Sequence, residues 1–406
     1  MKRDKSKIIL LGIVTLALFL RLAAVFTQEE SKRLPLSDAK QYDNMAVNII
    51  SGYGLAQTNG DERVPTAYRT PVFPLFLAFV YAFFGHSYLA VKIIQAILGV
   101  LLCIIIFFIA NIIYDNVRIG LIASFILAIY KPFVSGFYYY GGPAVLYSEY
   151  FYAFIAGLTS LTLFLFIKKD KIFLGILSGI FIGATVLTRP EFVFYPMLLL
   201  LYLFCMSARK FARKFFIVYL FISLTIAPWI IRNYIIFGKF IPLSTIGGYS
   251  FCLGNNSSAN GGWAFPSYQG EIFENMEHMT EYEWTRLCFR KGLEEWRNTP
   301  KRLPKLFIKK MIVHWAPFED GKKIFNPHYA LILFLGSIGI LFFRRHVIEE
   351  GILYVLFITT TLVAIVIWGD PRYRYAFEPY LIIFSALAID NMFNYLKGKV
   401  SYGEQR

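Results

Sequence analysis

The chain has 406 residues, of which 57% are hydrophobic, 18% aromatic and only 17% charged. A soluble protein of that length exposes far more charge, so the composition excludes a water-soluble domain and points to a polytopic membrane chain. The net charge of +15 is no nucleic-acid footprint, because most of the basic excess falls in short clusters beside apolar runs. Lys168-Lys169-Asp170-Lys171, Arg209-Lys210 with Arg213-Lys214, and Arg344-Arg345-His346 mark the cytoplasmic ends of spans and fix their direction.

In chain order, the first span runs outward from Ile8 to Phe26 behind Met1-Lys2-Arg3-Asp4-Lys5. No small-residue cleavage site follows, so it reads as a retained helix rather than a signal peptide. Ala90 to Ile113 returns, Gly120 to Val134 goes out, and Tyr150 to Ile167 returns to the Lys168 cluster. Ile172 to Leu187 goes out, Phe192 to Met206 comes back, and Phe215 to Ile231 goes out again. Pro327 to Phe343 returns, Ile352 to Trp368 goes out, and Ala376 to Phe393 ends before Lys397 and Lys399. Val72 to Phe84 is too short to cross comfortably, and counting it would place every basic cluster outside. It is expected to be re-entrant or to lie at the interface.

Two segments between spans are long. Residues 27–70 hold an amphipathic helix, with Tyr42, Met45, Ala46, Ile49 and Ile50 at helical spacing and Gly52 at its end. Residues 237–325 open with Gly247-Gly248 and Gly254-Asn255-Asn256, turn helical from Glu271 to Trp296, and end basic at Lys301, Arg302, Lys305, Lys309 and Lys310. The expected fold is an all-α polytopic protein of about ten transmembrane helices, with outer amphipathic helices and a mostly helical outer loop. Residues 1–236 form a transmembrane catalytic module, 237–325 an extracytoplasmic cap and 326–406 the closing transmembrane helices. The protein is placed in the plasma or inner membrane, with its site extracytoplasmic.

Threaded this way, Asp38, Asp43, Glu149, Arg189, Glu191, Arg232, Arg372 and Arg374 all fall on the outer face. Packing in lipid selects against such a collection, which marks a reaction site. Asp38 stands one turn ahead of Tyr42 on the amphipathic stripe. It suits a general base, or else a helix cap, a role that Ser37 could equally fill. Asp43 lies about 100° further round the helix and has the ordinary reading of a solvated charge. Glu149 follows Tyr138-Tyr139-Tyr140-Gly141-Gly142 and opens the fourth span; a carboxylate there either serves the site or answers the helix dipole. Arg189 and Glu191 bracket Pro190, as ligands or as a local ion pair that tightens the turn. Arg232, after Pro228-Trp229, is a binding candidate or a snorkelling anchor. Arg372 and Arg374 oppose the positive-inside bias and alternate with tyrosines, which suits gripping a lipid phosphate.

Metal chemistry is not indicated. His86, His278, His314, His328 and His346 are scattered, and no cluster has ligand spacing. There is no Walker loop or dinucleotide fingerprint. No cofactor is expected, with a divalent metal left open. Cys103 and Cys205 lie in apolar spans, whereas Cys252 and Cys288 share the long outer loop, as free thiols or as a disulfide.

Asp38 with Tyr42, Ala46, Asn48 and Gly52-Tyr53-Gly54 resembles the first outer loop of GT-C membrane glycosyltransferases of family 39. That group includes the protein mannosyltransferases and the aminoarabinose transferase of lipid A. Arg69-Thr70-Pro71-Val72-Phe73-Pro74-Leu75 with Phe84-Gly85 resembles the family's interfacial segment. Leu187-Thr188-Arg189-Pro190-Glu191, Pro228-Trp229-Ile230-Ile231-Arg232-Asn233-Tyr234, the stretch from Gly247 to Asn256, and Arg372-Tyr373-Arg374-Tyr375 with Pro379 are similar to its bacterial members. The likeness runs from the first span to the last. It implies transfer of a sugar from a polyprenyl-phosphate donor in the outer leaflet to an acceptor hydroxyl on a lipid, glycan or protein. By that resemblance Asp38 is the catalytic aspartate, although Ala39 stands where the family's usual Asp-Glu pair has Glu, and Glu149 is the second acidic residue. Tyr42, Asp43, Arg69, Arg189, Glu191, Arg232, Arg372 and Arg374 are the substrate-binding candidates. Two other classes remain: a lipid-linked glycan transporter or flippase, which places ionisable groups near the midplane, and a glycan polymerase or ligase.

Overall fold

The computed structural model describes residues 2–27, 38–136, 142–270, 272, 274, 279–319, 324–343 and 346–403. Ser37, Tyr138 to Gly141, His278, Arg344 and Arg345 lie outside that set. Among the described residues, six helices are long and apolar enough to cross a membrane: Lys5–Thr27, Tyr88–Tyr114, Ser148–Lys169, Phe215–Phe237, Glu349–Val366 and Pro371–Gly398. Shorter apolar helices are Val72–Phe84, Val117–Ile129, Ile172–Thr188, Pro190–Cys205 and Pro327–Phe342. Setting Val72–Phe84 aside leaves the helical set expected from the sequence, and the all-α polytopic class is met.

α1 (Lys2–Thr27) is followed by the amphipathic α2 (Asp38–Ile50) and a small hairpin, β1 (Ala56–Asn59) with β2 (Glu62–Pro65). Asn48 ties this hairpin to α2, its amide donating to Ala56 O at 2.8 Å. α3 (Val72–Phe84) packs on α2 through Tyr42 and Phe73, whose rings meet edge to face at 5.0 Å. Arg69, just ahead of α3, bonds Asp38, while Tyr81 near its far end bonds Asp43. Both ends of α3 therefore lie against one short helix, and α3 runs beside α2 instead of away from it.

α4 (Tyr88–Tyr114) leads to α5 (Val117–Ile129) and the short α6 (Lys131–Val134). The sequence reading had one span from Gly120 to Val134, but the helix breaks at Tyr130, ahead of Pro132, which lacks a backbone donor. Arg21 of α1 fills that break: its guanidinium donates to Leu127 O at 3.1 Å and Ala128 O at 3.2 Å. Its Nε also donates to the Tyr150 hydroxyl at 3.0 Å. A buried charge in lipid is costly, and here it answers carbonyls that the break leaves open.

α7 (Ser148–Lys169) and α8 (Ile172–Thr188) precede a 3-10 turn (Pro190–Val193) and α9 (Phe194–Phe237, 44 residues). Two apolar helices lie across this turn and α9, Pro190–Cys205 and Phe215–Phe237, as the sequence leads one to expect, and the stretch from Ser207 to Lys214 between them has no Gly or Pro. A straight helix of the length of α9 would extend about 66 Å. Yet the Tyr219 hydroxyl donates to Pro196 O at 2.5 Å, so the element doubles back. A Cβ on Gly183 of α8 would lie 2.7 Å from Thr225 Cβ, which seats the second half of α9 against α8.

The described residues between 247 and 325 form α10 (Gly247–Gly254), α11 (Glu281–Asn298), α12 (Leu303–Trp315) and a two-residue ladder of β3 (Phe318–Glu319) with β4 (Ile324–Phe325). α11 opens on a capping box between Thr280 and Glu283. Then come α13 (Pro327–Phe342), α14 (Val347–Val366), the single turn α15 (Pro371–Arg374) and α16 (Glu378–Gly403). Cys252 and Cys288 share a buried cluster with Trp284 and are free thiols.

Candidate active site

α2, α7, the α8–α9 turn and α15 converge on one face, and their charged side chains form an open ring of ion pairs. Asp38 opens α2, and its carboxylate faces two guanidiniums, Oδ1 lying 2.6 Å from Arg69 Nη2 and Oδ2 2.9 Å from Arg372 Nη2. Arg372 also donates through Nε to Glu149 Oε1. The same oxygen accepts from Arg189 Nη1 at 2.6 Å, and Arg189 Nε reaches Glu191 Oε1 at 2.5 Å. Three carboxylates and three guanidiniums thus alternate from Arg69 to Glu191. Glu149 is almost fully buried, and its second oxygen, Oε2, has no hydrogen-bond partner.

Local sequence explains how each group is held. Pro371 starts α15 while the Asp370 side chain accepts from Arg372 N at 2.8 Å, which turns Arg372 inward. Pro190 starts the turn that puts Arg189 and Glu191 on either side of it. Arg69 Nε is fixed by Gln41 Oε1 at 2.9 Å, and its guanidinium lies 5.3 Å from the Tyr42 ring centroid. Arg372 lies 5.0 Å from the Tyr147 ring, and Arg189 sits between Tyr152 and Tyr373. Burial raises the Asp38 carboxyl, but the Arg69 and Arg372 charges outweigh it and hold the group down to about 2. Asp38 is therefore a carboxylate at neutral pH, with both oxygens engaged.

The ring floors a cavity of about 670 Å³. Asp38, Tyr42, Arg69, Arg189, Glu191 and Arg372 line one side, and the cap supplies Tyr249, Phe251, Trp263, Phe265 and Phe289 opposite. Charge on one wall and aromatic surface on the other suit a ligand with an anionic group and an apolar or sugar body.

Three candidates from the sequence stand elsewhere. Asp43 is enclosed by the Tyr81 hydroxyl at 2.6 Å, His86 Nε2 at 2.8 Å and the Tyr88 hydroxyl at 3.0 Å. It pins α2 to α3 and α4, because its 100° offset turns it away from Asp38. Arg232 donates to Thr66 O at 2.8 Å and Leu55 O at 2.7 Å, holding the hairpin rather than facing the cavity. Arg374 is buried on the far side of α15 with Glu319, Glu378 and the carbonyl of His314. Two residues apart on a helix face away from each other, so only Arg372 reaches the ring. Sequence reasoning missed Gln41, Tyr147 and Ser148; the last two directly precede Glu149 at the start of α7, the one signal that pointed to them.

The architecture is similar to that of the Archaeoglobus fulgidus oligosaccharyltransferase. The apo form matches with a TM-score of 0.59 and 16% identity, over 98% of this chain and 52% of that one. Its AglB complex with an inhibitory peptide and a dolichol-phosphate gives 0.60 and 15%, over 100% and 52%. The chain spans about half the length of these solved structures. ArnT from Cupriavidus metallidurans bound to undecaprenyl phosphate gives 0.49 and 12%, over 93% and 77%. The likeness to the Archaeoglobus structures shows the fold, which is of the GT-C type that the resemblance implied. Within it, residues 68–231 match the family described as dolichyl-phosphate-mannose-protein mannosyltransferase, a stretch that holds Arg69, Glu149, Arg189 and Glu191. No curated protein matches the chain.

Proposed function

We propose that the chain transfers a sugar from a polyprenyl-phosphate donor to an acceptor hydroxyl, by a single inverting displacement at the extracytoplasmic face. The observation that carries this reading is Arg372 bridging Asp38 and Glu149 at the floor of an open cavity. The acceptor oxygen attacks the anomeric carbon and gives its proton to Asp38. The bond from that carbon to the phosphate oxygen breaks, and its electron pair leaves on the lipid phosphate. Arg372, with Arg69 and Arg189 beside it, stabilises the growing charge.

Arg372 cannot hold the phosphate and Asp38 equally. As the donor's phosphate takes over its Nη2, Asp38 loses one of the two cations that make it a weak base. Its proton affinity rises when the acceptor needs it. Glu149 stays buried against Arg372 and Arg189 and keeps both guanidiniums oriented. Tyr42 and Glu191 complete the wall, and residues 237–325 act as the cap whose aromatic side receives the sugar or acceptor.

The family match over residues 68–231 supports a lipid-phosphate sugar as donor. A further complex of the Archaeoglobus enzyme contains Zn and sulfate. The described residues here hold no group of three or more His, Cys, Asp or Glu for a metal, and each ring carboxylate is engaged by arginine. The ring does not fit a resident metal ion, and no step is routed through one. The test is transfer by the purified chain from polyprenyl-phosphate sugars, read by mass spectrometry against Asp38→Asn. Equal turnover by wild type and variant overturns the role of Asp38.

A further inference from the structure

α12 has an outward face that its own cap does not cover. Ile308 is 53% and Ile312 49% exposed. Lys305 precedes Ile308 by three residues and Ile312 by seven, so all three share one stripe of the helix, with Lys309 at its edge and Lys301 one turn ahead. Between Asn298 and Phe318 the sequence has no carboxylate, and Lys301, Arg302, Lys305, Lys309 and Lys310 are all basic. A row of apolar side chains beside unbalanced lysines does not suit water alone.

The stripe leads along the chain to an apolar helix. After α12 the chain turns through β3 and β4, which expose Phe318, Ile324 and Phe325, and enters α13 at Pro327. α13 exposes Leu331 and Phe334 along the same route. Exposed apolar side chains thus recur along the chain in α13, the β3–β4 ladder and α12, with Lys305 and Lys301 beyond Ile308. At 1.5 Å per residue, Lys305 stands about 10 Å further along the helix than Ile312.

We propose that α12 and the β3–β4 ladder dock on the bilayer leaflet that faces the ion-pair ring. Ile308, Ile312 and Phe325 enter the acyl boundary, and Lys301, Lys305 and Lys309 bind the phosphates of anionic lipid headgroups. The opposite face of α12 gives the contact a consequence. Lys310 Nζ donates to Ile365 O at 2.9 Å, and His314 Nδ1 donates to Asp370 O at 3.0 Å. Those two residues hold the segment that ends at Arg372. The surface stands independently of the proposed transfer reaction.

The test uses the full chain in nanodiscs of phosphatidylcholine, with and without phosphatidylglycerol. Cys205 is the exposed one of the four cysteines, so nitroxide is attached at Ile308→Cys or Ile312→Cys in a Cys205→Ser background. Glu294→Cys on α11 is the water-side reference. Docking predicts high oxygen and low nickel-chelate accessibility at 308 and 312, with the reverse at 294; chelate accessibility equal to the reference overturns it. Native mass spectrometry then counts retained lipid. Wild type keeps phosphatidylglycerol preferentially, and Lys301→Gln/Lys305→Gln/Lys309→Gln lowers that preference by roughly fivefold or more. Equal retention by wild type and triple variant overturns the headgroup assignment.

Discussion

Arg372 holds two carboxylates at once: its Nη2 lies 2.9 Å from Asp38 Oδ2 while its Nε donates to Glu149 Oε1. The first belongs to the helix after the opening span, the second to α7, and Arg372 precedes the last helix. One guanidinium thus ties three distant stretches of chain, and the predictions turn on it.

Asp38→Asn keeps the shape of the side chain and removes the base. Transfer should fall by about 10²–10⁴, with expression and folding unchanged. Donor affinity should hold or rise, because Arg372 then has one fewer carboxylate competing for it. Titration of a non-transferable polyprenyl phosphate into the purified variant checks this.

Arg372→Gln should lower turnover by about 10²–10³ and weaken donor binding as well. It also leaves Glu149 with Arg189 as its remaining cation and frees one oxygen of Asp38. Unchanged donor affinity in the purified variant would remove Arg372 from phosphate binding.

Arg374→Gln is expected to act on stability instead. It leaves Glu319 and Glu378 buried without their shared guanidinium, which costs about 3–5 kcal/mol. Thermal unfolding should shift down while the surviving protein retains its KM for donor. Asp43→Asn should likewise spare donor KM, because its partners are Tyr81, His86 and Tyr88.

Acid should loosen the seat of Arg372 before it reaches the ring. Burial, then the Arg374 charge, push His314 down to about 3 from an ordinary value of 6.5. A base lowered in the folded state contributes stability that is full above 6.5 and lost as pH falls toward 3, on the order of several kcal/mol. Asp38, held at about 2, keeps its contribution until pH drops below the usual carboxylate range. A melting temperature that declines from about pH 6.5, and a flatter decline in His314→Gln, is the expected result.

Much of this was legible in the residues. Apolar length set the spans, because lipid admits few ways to satisfy a backbone, while their directions are what the basic clusters lead one to expect. The doubling back of α9 was legible as a reversal, because the basic cluster from Arg209 to Lys214 separates two apolar runs. The outward charges were likewise visible as a set. Which of them meet was not, because Arg372 and Arg374 carry the same chemistry and differ only in the side of α15 they occupy.

The sequence by itself determined an all-α polytopic membrane chain with charged residues gathered at the ends of its spans, since hydropathy and charge are local properties that solvent reads directly. Only the tertiary structure decided that Arg69, Arg189 and Arg372 join the ring while Asp43, Arg232 and Arg374 hold the scaffold. That division depends on contacts between residues up to 334 positions apart, and helix packing, not local pattern, sets them.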